Sequence, residues 1–277
     1  MSKLLEYQKH SPPTQLQEFV KYIWTMKAYE DRSAEDLLIP DGYPEIIFVK
    51  RGAYNKAFIG EKAASTTIRR SCVIGIQTRS VLASRLDRCH LVGAKLLPVG
   101  AYALFGHRLK QIADANVCLA DFGLDWLQEL DVAVKDCQDD SVLIDLISSI
   151  LVSQIEQLPA DTSLRLASSF LASVLAVKGQ LSVGELAKQH HLSVRHFQRK
   201  FKDFFGISPK KFLNIIRFKQ LYKSSVLQDR LPADFLDYGY YDQMHFIKDF
   251  QKQLGISPSR SLEPFFSVMN QMARRNR

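Results

Sequence analysis

The stretch His196-Phe197-x3-Phe201-x4-Gly206-Ile207-Ser208-Pro209 occurs a second time as His245-Phe246-x3-Phe250-x4-Gly255-Ile256-Ser257-Pro258. Every matched position is offset by 49 residues, and seven identities fall in a window of fourteen. Such self-similarity marks one supersecondary unit used twice. In each copy two phenylalanines at i and i+4 share one helix face. Glycine then stops the helix, and Ser-Pro opens the next one.

Working outward, Ser182 and Glu185 form a capping-box pattern ahead of a helix over Val183–Gln189. A short turn over 190–193 leads to a second helix, Val194–Phe205, closed by Gly206. A long helix is expected over 209–227, broken at Asp229-Arg230-Leu231-Pro232. A short helix over 233–237, a turn over 238–241 and a last helix over 242–254 complete the second copy. Leu186, Ala187, Leu192, Phe197 and Phe201 supply the apolar contacts of the first unit; Leu236, Gly239, Phe246 and Phe250 stand at equivalent places in the second.

Helix, tight turn, helix is the layout in which the first helix crosses a DNA backbone and the second enters the major groove. With Phe197 and Phe201 inward, the second helix of the first unit turns Arg195, Gln198, Arg199 and Lys202 outward. Arginine can make paired hydrogen bonds to guanine and glutamine to adenine. The corresponding helix of the second unit presents Asp242, Gln243, Met244, Ile247, Lys248 and Lys252, a less basic set expected to read shape and methyl groups. The connecting helix spans about 28 Å, against about 34 Å for one turn of B-DNA. It can hold the two readers in successive grooves. Lys210, Lys211, Arg217, Lys219 and Lys223 lie along it as candidate phosphate contacts.

These motifs give residues 164–264 a resemblance to the DNA-binding domain of AraC/XylS-type bacterial transcription regulators. It rests on Leu186-Ala187, Ser193-Val194-Arg195-His196-Phe197-Gln198-Arg199, Phe201, Gly206 to Pro209, Arg217, and Gly239-Tyr240-Tyr241-Asp242-Gln243-x-His245-Phe246-x3-Phe250. The resemblance implies recognition helices at 194–205 and 242–254, with contacts at Arg195, Gln198, Arg199, Asp242, Gln243, Ile247 and Lys248. Phe235-Leu236 replaces the family's usual Ile-Ala pair, and Arg260-Ser261-Leu262 stands where a Tyr-Arg pair is common.

Charge divides the chain in the same place. Residues 160–277 hold 19 Lys+Arg against 9 Asp+Glu; residues 1–159 hold 18 against 20. A basic module attached to a nearly neutral one fits a polyanion binder joined to a second function. The expected boundary is at 157–163, where Pro159 ends one helix and Asp161 or Thr162 caps the next. We therefore read a two-domain α+β chain. Residues 1–158 are mainly β to about 100 and helical after; residues 164–264 are all-α, with helix-turn-helix units at about 182–206 and 232–255.

In the first part, strands are expected at 46–49, 72–76, 80–86 and 91–97, and helices at 15–23, 101–109, 124–130 and 141–157. Residues 5–130 resemble a sensor-type domain found ahead of such DNA-binding domains. The carriers are Pro40-Asp41-Gly42-x2-Glu45-Ile46-Ile47-Phe48, Gly75-x-Gln77-Thr78 and the segment 92–106. The resemblance implies a cupin-like barrel with helices. Trp24, Asp41, Tyr43, Glu45 and Phe48 are candidate lining residues of a ligand pocket, and Arg69, Arg70, Arg85 and Arg88 candidate anion contacts. Residues 131–157 join the halves or offer a face for self-association.

Three histidines in this half, His10, His90 and His107, show no metal-ligand spacing, so no cofactor, metal or catalytic residue is assigned. A metal-dependent cupin-type enzyme with an accessory DNA-binding module is the second reading. The four cysteines, Cys72, Cys89, Cys118 and Cys137, form no C-x2-C pair and read as reduced, buried small hydrophobes. No apolar run is long enough for a membrane span. The expected compartment is the cytoplasm, at the nucleoid. Double-stranded DNA is the expected partner; a small-molecule effector, RNA polymerase and a second copy are further candidates. Activation and repression are left open.

Overall fold

Why the first half forms sheets is visible in its longest strand. Val20–Ala28 runs VKYIWTMKA, rich in the branched and aromatic residues that suit a pleated surface. A computed structural model of the chain describes residues 5–29, 35–59, 65–86, 88–158, 162–228 and 235–254. Among the described residues ten antiparallel strands form two sheets. The larger contains β1 (Leu5–His10), β2 (Val20–Ala28), β4 (Glu45–Arg51), β7 (Cys72–Ile74), β9 (His90–Leu96) and β10 (Asn116–Cys118), in the order β1-β2-β9-β4-β7-β10. The smaller contains β3 (Glu35–Leu38), β5 (Tyr54–Phe58), β6 (Ser65–Ile68) and β8 (Val81–Arg85), in the order β3-β8-β5-β6. No ladder among the described residues joins the two into a closed barrel, so the β region is a sandwich of two sheets.

The helix expected at 15–23 is absent. A short 3-10 turn, Thr14–Leu16, is followed by β2, which pairs with β9 about seventy residues later. Long-range pairing overrides local pattern here. Strands β1, β3, β5, β6 and β10 were not expected from the sequence.

The helices follow: α1 (Pro98–Phe105), α2 (Asp125–Asp136), α3 (Asp140–Glu156), α4 (Thr162–Ala176), α5 (Val183–Gln189), α6 (Val194–Phe205), α7 (Pro209–Gln228) and α8 (Gln243–Leu254). The segment Gly106–Gln111 is a 3-10 helix, so the helix expected over 101–109 splits in two. No helix among the described residues is long and apolar enough to cross a membrane. The boundary residues 159–161, the break at 229–232 and the Ser257-Pro258 end of the second repeat lie outside the described residues.

Four apolar clusters organise the described residues. Ile46, Phe48, Val73 and Val92 of the larger sheet pack with Leu127, Leu143 and Ile147 of α2 and α3. Trp24, Ile47, Tyr54 and Leu91 pack between the sheets. Phe170, Leu186, Phe197, Phe201 and Phe212 form an aromatic helical core that also takes in Val99 of α1 and Ile76. Phe218, Phe246 and Phe250 form a fourth cluster with Leu37 of β3 and, at its edge, Leu82 of β8. The helical half is thus packed on the β half at two places.

Candidate nucleic-acid interface and effector cavity

Alternation along β4 decides which side chains can reach a ligand. Glu45 and Ile47 point into a cavity of about 310 Å³ between the sheets. Ile46 and Phe48 point the other way, into the helix-covered core, where both are fully buried. Phe48 is therefore not a lining residue, contrary to its grouping with Glu45, because a two-residue period cannot put positions 45 and 48 on one face. Trp24, Asp41, Tyr43 and Glu45 do line the cavity, with Tyr7, Tyr22, Tyr54 and Leu91 among the others. Trp24 Nε1 donates to Glu45 Oε1 at 2.6 Å. Gly93 lies under the indole: a Cβ there would be 2.4 Å from Trp24 Cε2, so the strand admits no side chain.

Several cations at or beside the cavity come from distant positions, and of these Lys21, Lys56 and Lys95 were not singled out in the sequence. Lys95 Nζ lies 2.9 Å from Asp41 Oδ2 and 3.9 Å from Glu45 Oε2. Burial works against the Lys95 charge, but the two carboxylates outweigh it and hold its pKa well above the ordinary value. Arg85 pairs with Asp36 at 3.7 Å and is buried, a closer environment than the exposed loop after β6 that Arg69 and Arg70 occupy. Lys56 Nζ donates to Gln77 Oε1 at 2.6 Å and to Asn116 Oδ1 at 2.8 Å, and burial lowers its pKa to about 8. Beside the cavity, Lys21 and Lys219 both approach the Tyr43 ring, at 3.9 and 4.0 Å from its centroid. Burial lowers Lys21 to about 8 and Lys219 to about 7. Among the described residues no group of His, Cys, Asp and Glu could hold a metal ion.

The first helix-turn-helix unit is built from caps inward. Ser182 Oγ accepts from Glu185 N–H at 3.2 Å, and Glu185 Oε2 accepts from Ser182 N–H at 2.7 Å, closing the capping box that starts α5. His191, with φ +53°, turns the chain, and Ser193 Oγ caps α6 by accepting from His196 N–H at 3.3 Å. Phe197, Phe201, Phe204 and Phe205 are buried on one side of α6, in contact with Phe170 or with one another. Arg195, Gln198, Arg199 and Lys202 all face solvent on the other. At the end of α6, Gly206 has φ +76°, and a Cβ there would sit 2.3 Å from the Leu109 carbonyl oxygen. Asp203 pairs with Lys110 at 2.6 Å at the same junction.

The second unit keeps the scheme with different parts. Phe235, not Leu236, does the packing: its ring stacks on Phe246 at 5.4 Å and 7°, while Leu236 is 53% exposed. The segment Leu236–Tyr238 is a 3-10 turn rather than a full helix. Tyr240 Oη donates to Asp249 Oδ2 at 2.9 Å. Asp242 Oδ1 accepts from His245 N–H at 2.6 Å, so this carboxylate caps α8. Gln243, Met244 and Lys248 are exposed; Ile247 is half-buried against the fourth cluster.

A helix-turn-helix domain family matches residues 186–263. The chain carries an AraC-type DNA-binding domain. Residues 8–118 match a domain of unknown function. No curated protein matches the chain. Among solved structures, ToxT from Vibrio cholerae is 9% identical over 95% of this chain and 98% of its own, with a TM-score of 0.44. A ToxT structure from strain SCE256 with an unsaturated fatty acid bound gives 10%, 98%, 99% and 0.45. The AraC-like transcriptional activator CuxR gives 11%, 80%, 86% and 0.27.

In this AraC-type domain the strut does not offer all its cations outward. Lys210, Lys211 and Lys223 are exposed. Arg217 is used internally: Nη2 donates to the Gly179 carbonyl at 3.1 Å, and its guanidinium lies 5.6 Å from the Tyr240 ring centroid. It thus ties the loop before α5 to the loop before α8. Lys219 donates to the Asp41 carbonyl at 3.0 Å, joining α7 to the cavity wall. Both were candidate phosphate contacts, and a charge run along a helix cannot by itself distinguish a solvated face from one covered by the other half of the chain.

Proposed function

We propose that the chain recognises a two-part duplex site by placing α6 and α8 in successive major grooves, and that the β half binds a small-molecule effector that adjusts this recognition. Arg195, Gln198, Arg199 and Lys202 contact bases or phosphates of the first half-site, and Gln243, Ile247 and Lys248 the second. Asp242 acts there chiefly as the helix cap. The domains run over 1–158 and 164–264, and the compartment this reading implies is the cytoplasm.

The observation that carries the reading is the solvent-facing set Arg195, Gln198, Arg199 and Lys202 on a helix whose opposite side is fixed by four buried phenylalanines. The strut supports the spacing: twenty residues of α7 extend about 30 Å, close to the ~34 Å repeat of B-DNA. The effector reading rests on the cavity, enclosed by aromatic walls with charged groups of both signs. Leu37 lines that cavity and belongs to the cluster that seats α8, which gives an occupant a route to the second reader.

Selection of bound fragments from a random duplex library tests the core of this reading. Two short preferred elements about ten base pairs apart are expected. Recovery of one element, or of fragments with no shared sequence, would overturn the two-reader arrangement.

A further inference from the structure

The cysteines of the β sandwich are not equivalent, and the ladder between β7 and β10 shows why. The strands pair antiparallel with Cys118 opposite Cys72. Leu119 N–H donates to the Ser71 carbonyl at 3.0 Å, and Gly75 N–H donates to the Ala115 carbonyl at 3.3 Å. Hydrogen-bonded and non-hydrogen-bonded pairs alternate along such a ladder. The pairs 71/119 and 75/115 are of the bonded kind, so 72/118 is of the other. Cα atoms of a non-hydrogen-bonded pair lie roughly 4.5 Å apart, within the roughly 4.4–6.8 Å that a disulfide spans. Direct cross-strand partners also share one face of the sheet. Neither Cys89 nor Cys137 has a cysteine opposite it in any described ladder.

We propose that Cys72 and Cys118 form an oxidation site at which a hydroperoxide closes a reversible cross-strand disulfide. The two thiols divide the work by their surroundings. Cys118 is half-buried on β10, the edge strand of the larger sheet, and is the one an oxidant reaches. Cys72 is 3% exposed, with its sulfur 3.9 Å from Tyr54 Oη. Burial pushes the Cys72 thiol up to about 12, which keeps it from reacting first.

In the first step the Cys118 thiolate attacks the peroxide. An S–O bond forms and the O–O bond breaks. The released oxygen takes the thiol proton and leaves as water or alcohol, giving the sulfenic acid. In the second step Cys72 sulfur attacks Cys118 sulfur. The S–S bond forms, the S–O bond breaks, and the hydroxyl departs as water with the Cys72 proton. Two thiols are oxidised by two electrons and one hydroperoxide is reduced. In a reducing compartment the bond is transient and is reopened by thiol exchange. The link would tie β10, whose only sheet neighbour among the described residues is β7, to that strand beside the cavity; Asn116 of β10 already accepts from Lys56. The proposal is independent of what binds in the cavity and of the DNA reading.

The full-length protein treated with stoichiometric hydrogen peroxide, alkylated and digested, tests this. The expected product is a linked pair of peptides carrying Cys72 and Cys118, with a loss of about 2 Da against the dithiol, restored by dithiothreitol. In Cys72→Ser protein, Cys118 should accumulate as sulfenic acid and react with dimedone at several-fold higher yield than in the unsubstituted chain. Linkage of Cys118 to Cys89 or Cys137, overoxidation of Cys118 without any linked product, or no reaction at Cys118 would each overturn the proposal.

Discussion

α6 and α8 are both twelve residues long, begin at a side-chain cap and bury phenylalanines at i and i+4, yet they rest on different supports and show solvent different chemistry. α6 sits on an aromatic core made mostly by its own half of the chain, and its outer face carries two arginines, a glutamine and a lysine. α8 sits on the edge of the smaller β sheet through Leu37 and Leu82, with Ser80 N–H donating to the Gln253 carbonyl at 3.2 Å. Its outer face shows Gln243, Met244 and Lys248. The repeat preserves a capped helix backed by phenylalanines and varies its outer face and its support. We therefore take the first reader as the main source of affinity and the second as the one the β half can adjust.

The largest effect that would test this contrast lies in the cores. Phe201 has ring contacts with Phe170, Phe197, Phe205 and Phe212, whereas Phe250 has them with Phe218 and Phe246. Phe201→Ala is expected to cost about 3–5 kcal/mol of stability, and Phe250→Ala less, both read from denaturant midpoints. Equal losses would mean that the two supports do not differ in strength.

Next in size is the difference in recognition. Arg199→Ala should weaken binding to a selected site by about 1–3 kcal/mol and relax base preference in one half-site only. Lys248→Ala should cost under about 1 kcal/mol and act alike on all sequences. Titration against a selected duplex and its scrambled counterpart separates the two; a larger loss for Lys248→Ala would reverse the assignment of the dominant reader.

Sequence reading worked where structure is local and failed where it is not. Val183–Gln189 and Val194–Phe205 follow from caps, a glycine stop and a 3.6-residue period, and the structure has both with those bounds. Val20–Ile23, the start of the strand Val20–Ala28, was mistaken for the end of a helix because what makes it a strand is β9, remote in the chain. The cavity was half-legible. Asp41, Tyr43 and Glu45 stand in one turn-and-strand segment, but Lys21, Lys95 and Lys219 meet them only once the chain has folded. Phe48 was misplaced for a reason the sequence could have corrected, since its parity along β4 differs from that of Glu45.

The smallest effect concerns the join between the halves. Lys219 has a folded pKa near 7, lowered by burial from 10.5, so the unfolded chain binds more protons than the folded one between those values. By linkage, this group makes stability rise as pH climbs from about 7 toward 10. Lys219→Met should flatten that rise, seen as urea midpoints at pH 7 and pH 9 that lie closer together than in the unsubstituted chain. An unchanged pH dependence would show that burial does not hold this lysine below its ordinary pKa in the folded chain.

Arg217 grips the loop ahead of one reader with a hydrogen bond and lies near the tyrosine ring ahead of the other. A straight rod fixes how far apart two fingers are but not their rotation about its axis. This clasp joins the two units at a second point, off the axis of the rod. On the proposed two-reader arrangement, the phase of the two half-sites around the duplex, as distinct from their separation along it, would be set in part by a single side chain turned toward its own chain.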